Sequence, residues 1–146
     1  MEERLLGLLT HLIEKVGAEE AEKVLLHKIS EHDAEAVVLT IVANEGMHSI
    51  PSRFIHGEYY VASSGNLDFG SEEAIVRQYK EILSKLRKKL SEQEWKKVYL
   101  VPTGHVTLAL QIKNLVYQVL RIDTIDLFYS KGDYHEIEID FRSLFL

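Results

Sequence analysis

The stretch that most constrains this chain is Ala36-Val37-Val38-Leu39-Thr40-Ile41-Val42-Ala43, an apolar, β-branched run with no polar alternation. A strand with one wet face alternates; a strand without alternation is covered on both faces, which in a parallel sheet means helices on each side. Lys97-Val98-Tyr99-Leu100-Val101 is a second run of the same kind, and residues 124–129 a third. A shorter strand is expected over Glu58 to Ser63. Tyr134 to Phe141 is different. There His135, Ile137, Ile139 and Phe141 alternate with Tyr134, Glu136, Glu138 and Asp140, as in a half-buried strand that pairs as an antiparallel hairpin at a sheet edge.

Helical periods fill the intervals. Residues 3–16 carry Leu5, Leu9, Leu12 and Val16 on one stripe, with Gly17 as a stop, and residues 18–31 form a second helix with Ala21, Val24, Leu25 and Ile29 on one side. Ser71 is placed as an N-cap ahead of Glu72 and Glu73, and the helix that follows carries Ile75, Tyr79, Ile82, Leu83, Leu86 and Leu90 to its end. Lys85, Arg87, Lys88 and Lys89 in its last turns suit the negative end of the helix dipole, with phosphate binding as the other reading. A helix from His105 to Leu120 is apolar nearly all round apart from Thr107, Gln111, Asn114 and Gln118, so it requires cover on more than one side, from the N-terminal helices or from another subunit. The order α-α-β-β-α-β-α-β-β implies an α/β fold. It is a Rossmann-like open, mostly parallel sheet with helices on both faces, an N-terminal helical pair (1–35) and a C-terminal β-hairpin, all in one domain spanning 1–146.

Composition removes several functions. Basic residues number 17 against 23 acidic, a formal charge of −6, which speaks against a general duplex-DNA binder. Residues 1–35 alone hold nine acids and four bases, a poor DNA-reading helix pair. The absence of cysteine excludes disulfides, thiolate catalysis and cysteine-type zinc sites. No run is long and apolar enough to span a membrane, and the start Met1-Glu2-Glu3-Arg4 lacks the order of a signal peptide, so a cytoplasmic protein is expected. The seven histidines show no helix-spaced pair, so no metal is expected, and no dinucleotide, P-loop or nucleophile-elbow motif points to a cofactor.

In open α/β sheets ligands sit outside the carboxyl ends of the strands. That rule selects the loops 44–53, 63–70 and 102–107. The turn Pro102-Thr103-Gly104-His105 leads from a buried strand straight into a helix, whose first amides are unpaired and carry partial positive charge. Thr103, His105 and Thr107 add hydroxyl and imidazole groups, and Gly104 permits close approach; a satisfied turn with no ligand is the alternative. Arg53 can clamp a phosphate or pair with a carboxylate. Glu136, Glu138 and Asp140 share one strand face, where mutual repulsion favours solvent over paired-carboxylate catalysis.

The segment Val98-Tyr99-Leu100-Val101-Pro102-Thr103-Gly104-His105-Val106-Thr107-Leu108-Ala109-Leu110, with Ile125-Asp126-Leu127-Phe128-Tyr129 and the strand to Phe141, resembles the C-terminal half of a SAVED domain and is similar to the related CARF domains. Thr103-Gly104-x-x-Thr107 partly matches the CARF Thr-Gly-Gly-Thr-Lys turn; His105 replaces the second glycine and the lysine has no counterpart. In layout the likeness covers residues 36–141. It implies a sensor of cyclic oligonucleotides in prokaryotic antiviral defence, of the type III CRISPR or related kinds. Phosphate would be held by Thr103, Gly104, His105 and Thr107, and base and ribose by Asn44, Ser63, Ser64, Gly65 and Asn66. The chain has room for one half of a SAVED pair and no effector, so a homodimer or other self-assembly, and an effector protein as partner, are expected. A second reading is a metal-independent ring nuclease using His105, His48 or Arg53; a third is an adaptor built on the acidic helical pair, with no small ligand.

Overall fold

A computed structural model describes residues 1–32, 37–46 and 50–146. Two helices come first, α1 (Glu2–Val16) and α2 (Ala18–His32). Then follow β1 (Val38–Val42), β2 (Glu58–Val61), α3 (Glu72–Leu90), β3 (Lys97–Val101), α4 (Val106–Leu120), β4 (Ile125–Ser130) and β5 (Asp133–Ile137). The strands form one sheet in the order β2-β1-β3-β4-β5, parallel throughout except for β4 with β5. The fold is therefore α/β with a mostly parallel sheet, an N-terminal helical pair and a C-terminal antiparallel strand pair.

The apolar run of β1 is buried on both faces, as its lack of alternation requires, but the two covers are unlike. Leu39 and Ile41 of β1, Ala43 just after it, and Val98 and Leu100 of β3 meet Leu86 and Leu90 of α3 and Leu108, Ala109, Ile112 and Val116 of α4. Both long helices thus lie on one face. The other face gathers Val42, Tyr99, Val101, Ile125 and Leu127, and its partly buried neighbours are Ile50 and Phe54 of the β1–β2 connection and Tyr134 of β5. The expected helix layer on that face is replaced by an irregular connection. Its only helical part among the described residues is a 3-10 turn, Ser52–Phe54, with Pro51 at the N-cap. Buried Thr40 pins it: the Thr40 hydroxyl donates to His56 O at 2.6 Å and accepts from His56 N–H at 2.8 Å.

At Gly57, φ is +66° and an added Cβ would run into the Val38 carbonyl, so the connection passes β1 closely there.

Two expectations of burial change. The alternation in the last strand is real, but Ile137, Ile139 and Phe141 are 44%, 53% and 46% exposed. The half-buried member is Tyr134, which meets Phe54 and Tyr129 at ring distances of 5.1 and 5.2 Å. The strand also ends at Ile137, and Phe141–Phe145 form a 3-10 turn started by Asp140. None of Ile137, Ile139 and Phe141 belongs to either core cluster. On α4 itself one side packs, while Val106, Leu110 and Tyr117 stay exposed. In the helical pair no residue of α1 is buried, Ala21 of α2 is, and among the described residues neither core cluster draws on α1 or α2. No helix among the described residues is long and apolar enough to cross a membrane.

Candidate functional site

The ends of β1, β2 and β3 lie side by side, because these strands are parallel and in register. Their loops interlock through the polar residues expected to bind ligand. The Thr103 hydroxyl donates to Asn44 O at 2.6 Å. Asn44 Nδ2 donates to Gly65 O at 3.1 Å, and Ser63 Oγ donates to Ala43 O at 2.6 Å. Glu45 and Ser64 form an isolated parallel bridge three residues beyond Val42–Val61, the last β1–β2 pair. Gly104, at φ +84°, comes so near Asn44 that an added Cβ would lie 2.7 Å from the Asn44 Cβ. Asn44, Ser63, Ser64, Gly65, Thr103 and Gly104 are thus brought together. The hydroxyls of Thr103 and Ser63 and the amide of Asn44 are spent on joining the loops.

Several groups here are still available. Asn44 Oδ1 is buried with no hydrogen-bond partner among the described residues. His105 occupies the N-cap of α4 without a side-chain cap bond, and its carbonyl accepts from Leu108 and Ala109. The amides of Val106 and Thr107, ahead of those two, belong to the unpaired first turn. The His105 ring lies against the Phe69 ring, centroids 3.9 Å apart and tilted by 48°, and both residues are exposed. The Thr107 hydroxyl is held by Tyr79 OH of α3 at 2.7 Å. Asn66 is exposed in the same loop as Gly65.

Arg53 sits elsewhere, on the face without helices. It forms a 3.0 Å ion pair with Asp133, and its guanidinium lies 4.9 Å from the centroid of the Phe54 ring. Of its two sequence readings, pairing with a carboxylate is the one the structure displays. His48 lies outside the described residues. His56 stacks on Tyr99 at 4.1 Å, and its Nε2 comes within 3.1 Å of Glu136 Oε1, close enough for an ion contact but out of line for a hydrogen bond.

Sequence reasoning missed Phe69, Tyr79 and Glu45. Phe69 was visible only as an aromatic in a glycine-bounded loop, and Tyr79 as one member of an apolar stripe. Glu45 holds Tyr59 OH at 3.1 Å. Partial burial, then this hydrogen bond and the carboxylate's charge, push the Tyr59 phenol from 10.0 up to about 12. Behind α4, Lys113 donates to Thr124 Oγ1 at 2.7 Å and to Asp126 Oδ2 at 2.9 Å, which ties the helix to β4 and fixes the direction in which its first turn points.

Comparison with family models, curated proteins and solved structures gives no match for this chain.

Proposed function

We propose that the carboxyl edge of the sheet binds a cyclic oligonucleotide of the oligoadenylate type, and that the protein is a small CARF/SAVED-like sensor of prokaryotic antiviral defence acting in the cytoplasm. The observation that carries the reading is the open first turn of α4 beside the exposed His105–Phe69 ring pair. A nucleotide presents a charged phosphate next to a flat base. The amides of Val106 and Thr107 suit the phosphate through unpaired N–H groups and the helix dipole. An exposed imidazole and phenyl ring suit the base, which stacks on such surfaces whatever its identity. Ser64 and Asn66 are exposed beside Asn44 in the same loop cluster and offer polar partners for base and ribose.

Thr103, Ser63, Gly65 and Gly104 act one step back in this reading. They hold the three loops in register so that the amides and rings keep their spacing. A ring ligand carries several phosphates, and one α4 terminus meets one of them. A symmetric homodimer supplies the second set from the same sequence, and the exposed Val106, Leu110 and Tyr117 side of α4 gives such a dimer apolar surface to bury.

The test is a thermal-shift screen with cyclic di-, tri-, tetra- and hexanucleotides. A ligand at about 100 times its Kd adds roughly 2.7 kcal/mol of stability. The shift is expected to shrink in Phe69→Ala and His105→Ala. No shift with any ring, or full shifts in both variants, overturns the proposal. Analysis of the same mixtures for linear products in EDTA separates sensing from cleavage: turnover there assigns the protein to the ring nucleases instead.

A further inference from the structure

β5 is the last strand of the sheet, so among the described residues one side of its backbone has no neighbouring strand. The hairpin register identifies the groups on that side. Lys131 and Gly132, with φ of 53° and 78°, form a two-residue turn closed by the pair Ser130–Asp133. The ladder continues Tyr129–Tyr134, Phe128–His135, Leu127–Glu136 and Asp126–Ile137. In a two-residue hairpin the closing pair exchanges both backbone bonds and the pairs alternate from there. Asp133, His135 and Ile137 therefore bond to β4, while the N–H and C=O of Tyr134 and Glu136 face outward. The Tyr134 N–H accordingly finds the Asp133 carboxylate instead, at 3.0 Å.

Natural edge strands are blunted by shortness, proline, bulges or charged side chains, lysine above all, and in β5 the charges that do this are acidic. Asp133-Tyr134-His135-Glu136-Ile137-Glu138-Ile139 contains no proline and no lysine, and its pairing with β4 is unbroken. Its two rows differ in character. On the α4 side Ile137, 44% exposed, lies diagonal to Phe128, 57% exposed, and Ile139, just past the end of the strand, is 53% exposed. On the other side stand Glu136 and Glu138. Their charge reaches Tyr99 on that face, whose phenol is raised first by burial and then by these two carboxylates. A second copy fits this edge poorly, because antiparallel β5–β5 pairing brings the Glu136 and Glu138 rows together, and like charges across a strand pair repel.

We propose that β5 is a docking edge for an extended segment of a partner protein in which apolar residues alternate with lysine or arginine. The Tyr134 C=O and the N–H and C=O of Glu136 supply the backbone bonds, Phe128, Ile137 and Ile139 take the apolar side chains, and the carboxylates of Glu138 and of Glu136, the latter shared with His56, take the basic ones. This interaction is independent of ligand binding at the carboxyl edge.

The test uses the full chain and a fluorescent octapeptide alternating lysine with valine, beside a twin with glutamate in place of lysine. Anisotropy is expected to show saturable binding of the lysine peptide, weaker at high salt, and roughly tenfold weaker binding of the glutamate peptide, as facing like charges dictate. Glu136→Pro removes an outward N–H and no bond to β4, so it is expected to abolish binding while the circular dichroism spectrum is kept. Glu138→Lys, an exposed change that does not depend on the proline variant folding, is expected to weaken the lysine peptide and strengthen the glutamate one. Equal binding of the two peptides, no preference reversal in Glu138→Lys, or self-association of the chain that Glu136→Pro abolishes overturns the proposal.

Discussion

At Gly104 a backbone constraint and a packing constraint coincide. Its φ of +84° suits glycine, and an added Cβ would meet the Asn44 side chain at 2.7 Å. Gly104→Ala is therefore expected to cost about 1–3 kcal/mol, seen as a lower Tm, and to loosen the junction of the β1 and β3 loops. Unchanged thermal unfolding in this variant would mean that the two loops do not meet. Tyr59 makes a prediction about pH. Held up to about 12 in the folded chain against 10.0 when free, its phenol keeps its proton between those values while the unfolded chain releases one. Stability contributed below pH 10.0 is thus lost as pH climbs toward 12, and Tyr60, Tyr99 and Tyr134 add in the same direction, each chiefly through burial. Tm is expected to fall across this window, less steeply in Tyr59→Phe. The phenolate absorbance of the native protein should rise later than that of the unfolded one.

Among the elements, α4 has the most asymmetric surroundings. Ile112 is fully buried between α4 and the sheet, whereas Leu110 is 58% exposed on its outer side. Ile112→Ala is expected to cost roughly 2–5 kcal/mol, since it leaves a cavity in close-packed surroundings. Leu110→Ala should stay within about 0.5 kcal/mol for the isolated chain. A concentration-dependent Tm that Leu110→Ala removes would reveal an assembly using that side of the helix. The first turn of α4 is held in place twice, by Tyr79 through Thr107 and, further along, by Lys113 with Thr124 and Asp126. The strand register and these side-chain bonds together aim the helix at the carboxyl edge.

For the whole molecule, the sheet with α3 and α4 carries the core, and among the described residues the α1–α2 pair contributes to neither core cluster. Removal of residues 1–32 is expected to leave the cooperative unfolding transition of the sheet in place, by circular dichroism and Tm; a collapse of that transition would show that the pair is integral to the core. The order of elements was legible in the sequence, because apolar runs, helical stripes and glycine or proline stops are local signals. So was the turn at Pro102-Thr103-Gly104-His105, since a buried strand running into a helix leaves few places for its glycine. Which face α3 and α4 would share was not legible, nor was the fate of the Thr103 and Ser63 hydroxyls. Local pattern alone fixed that β1 is covered on both faces, that β5 alternates and that α4 has unpaired amides at its start. Only the tertiary structure decided that a connection rather than a helix covers the second face, that the apolar row of β5 stays in water, and that Phe69 meets His105. Periodicity records which side of an element is apolar, whereas the identity of its cover depends on strand order and on contacts between residues distant in the chain.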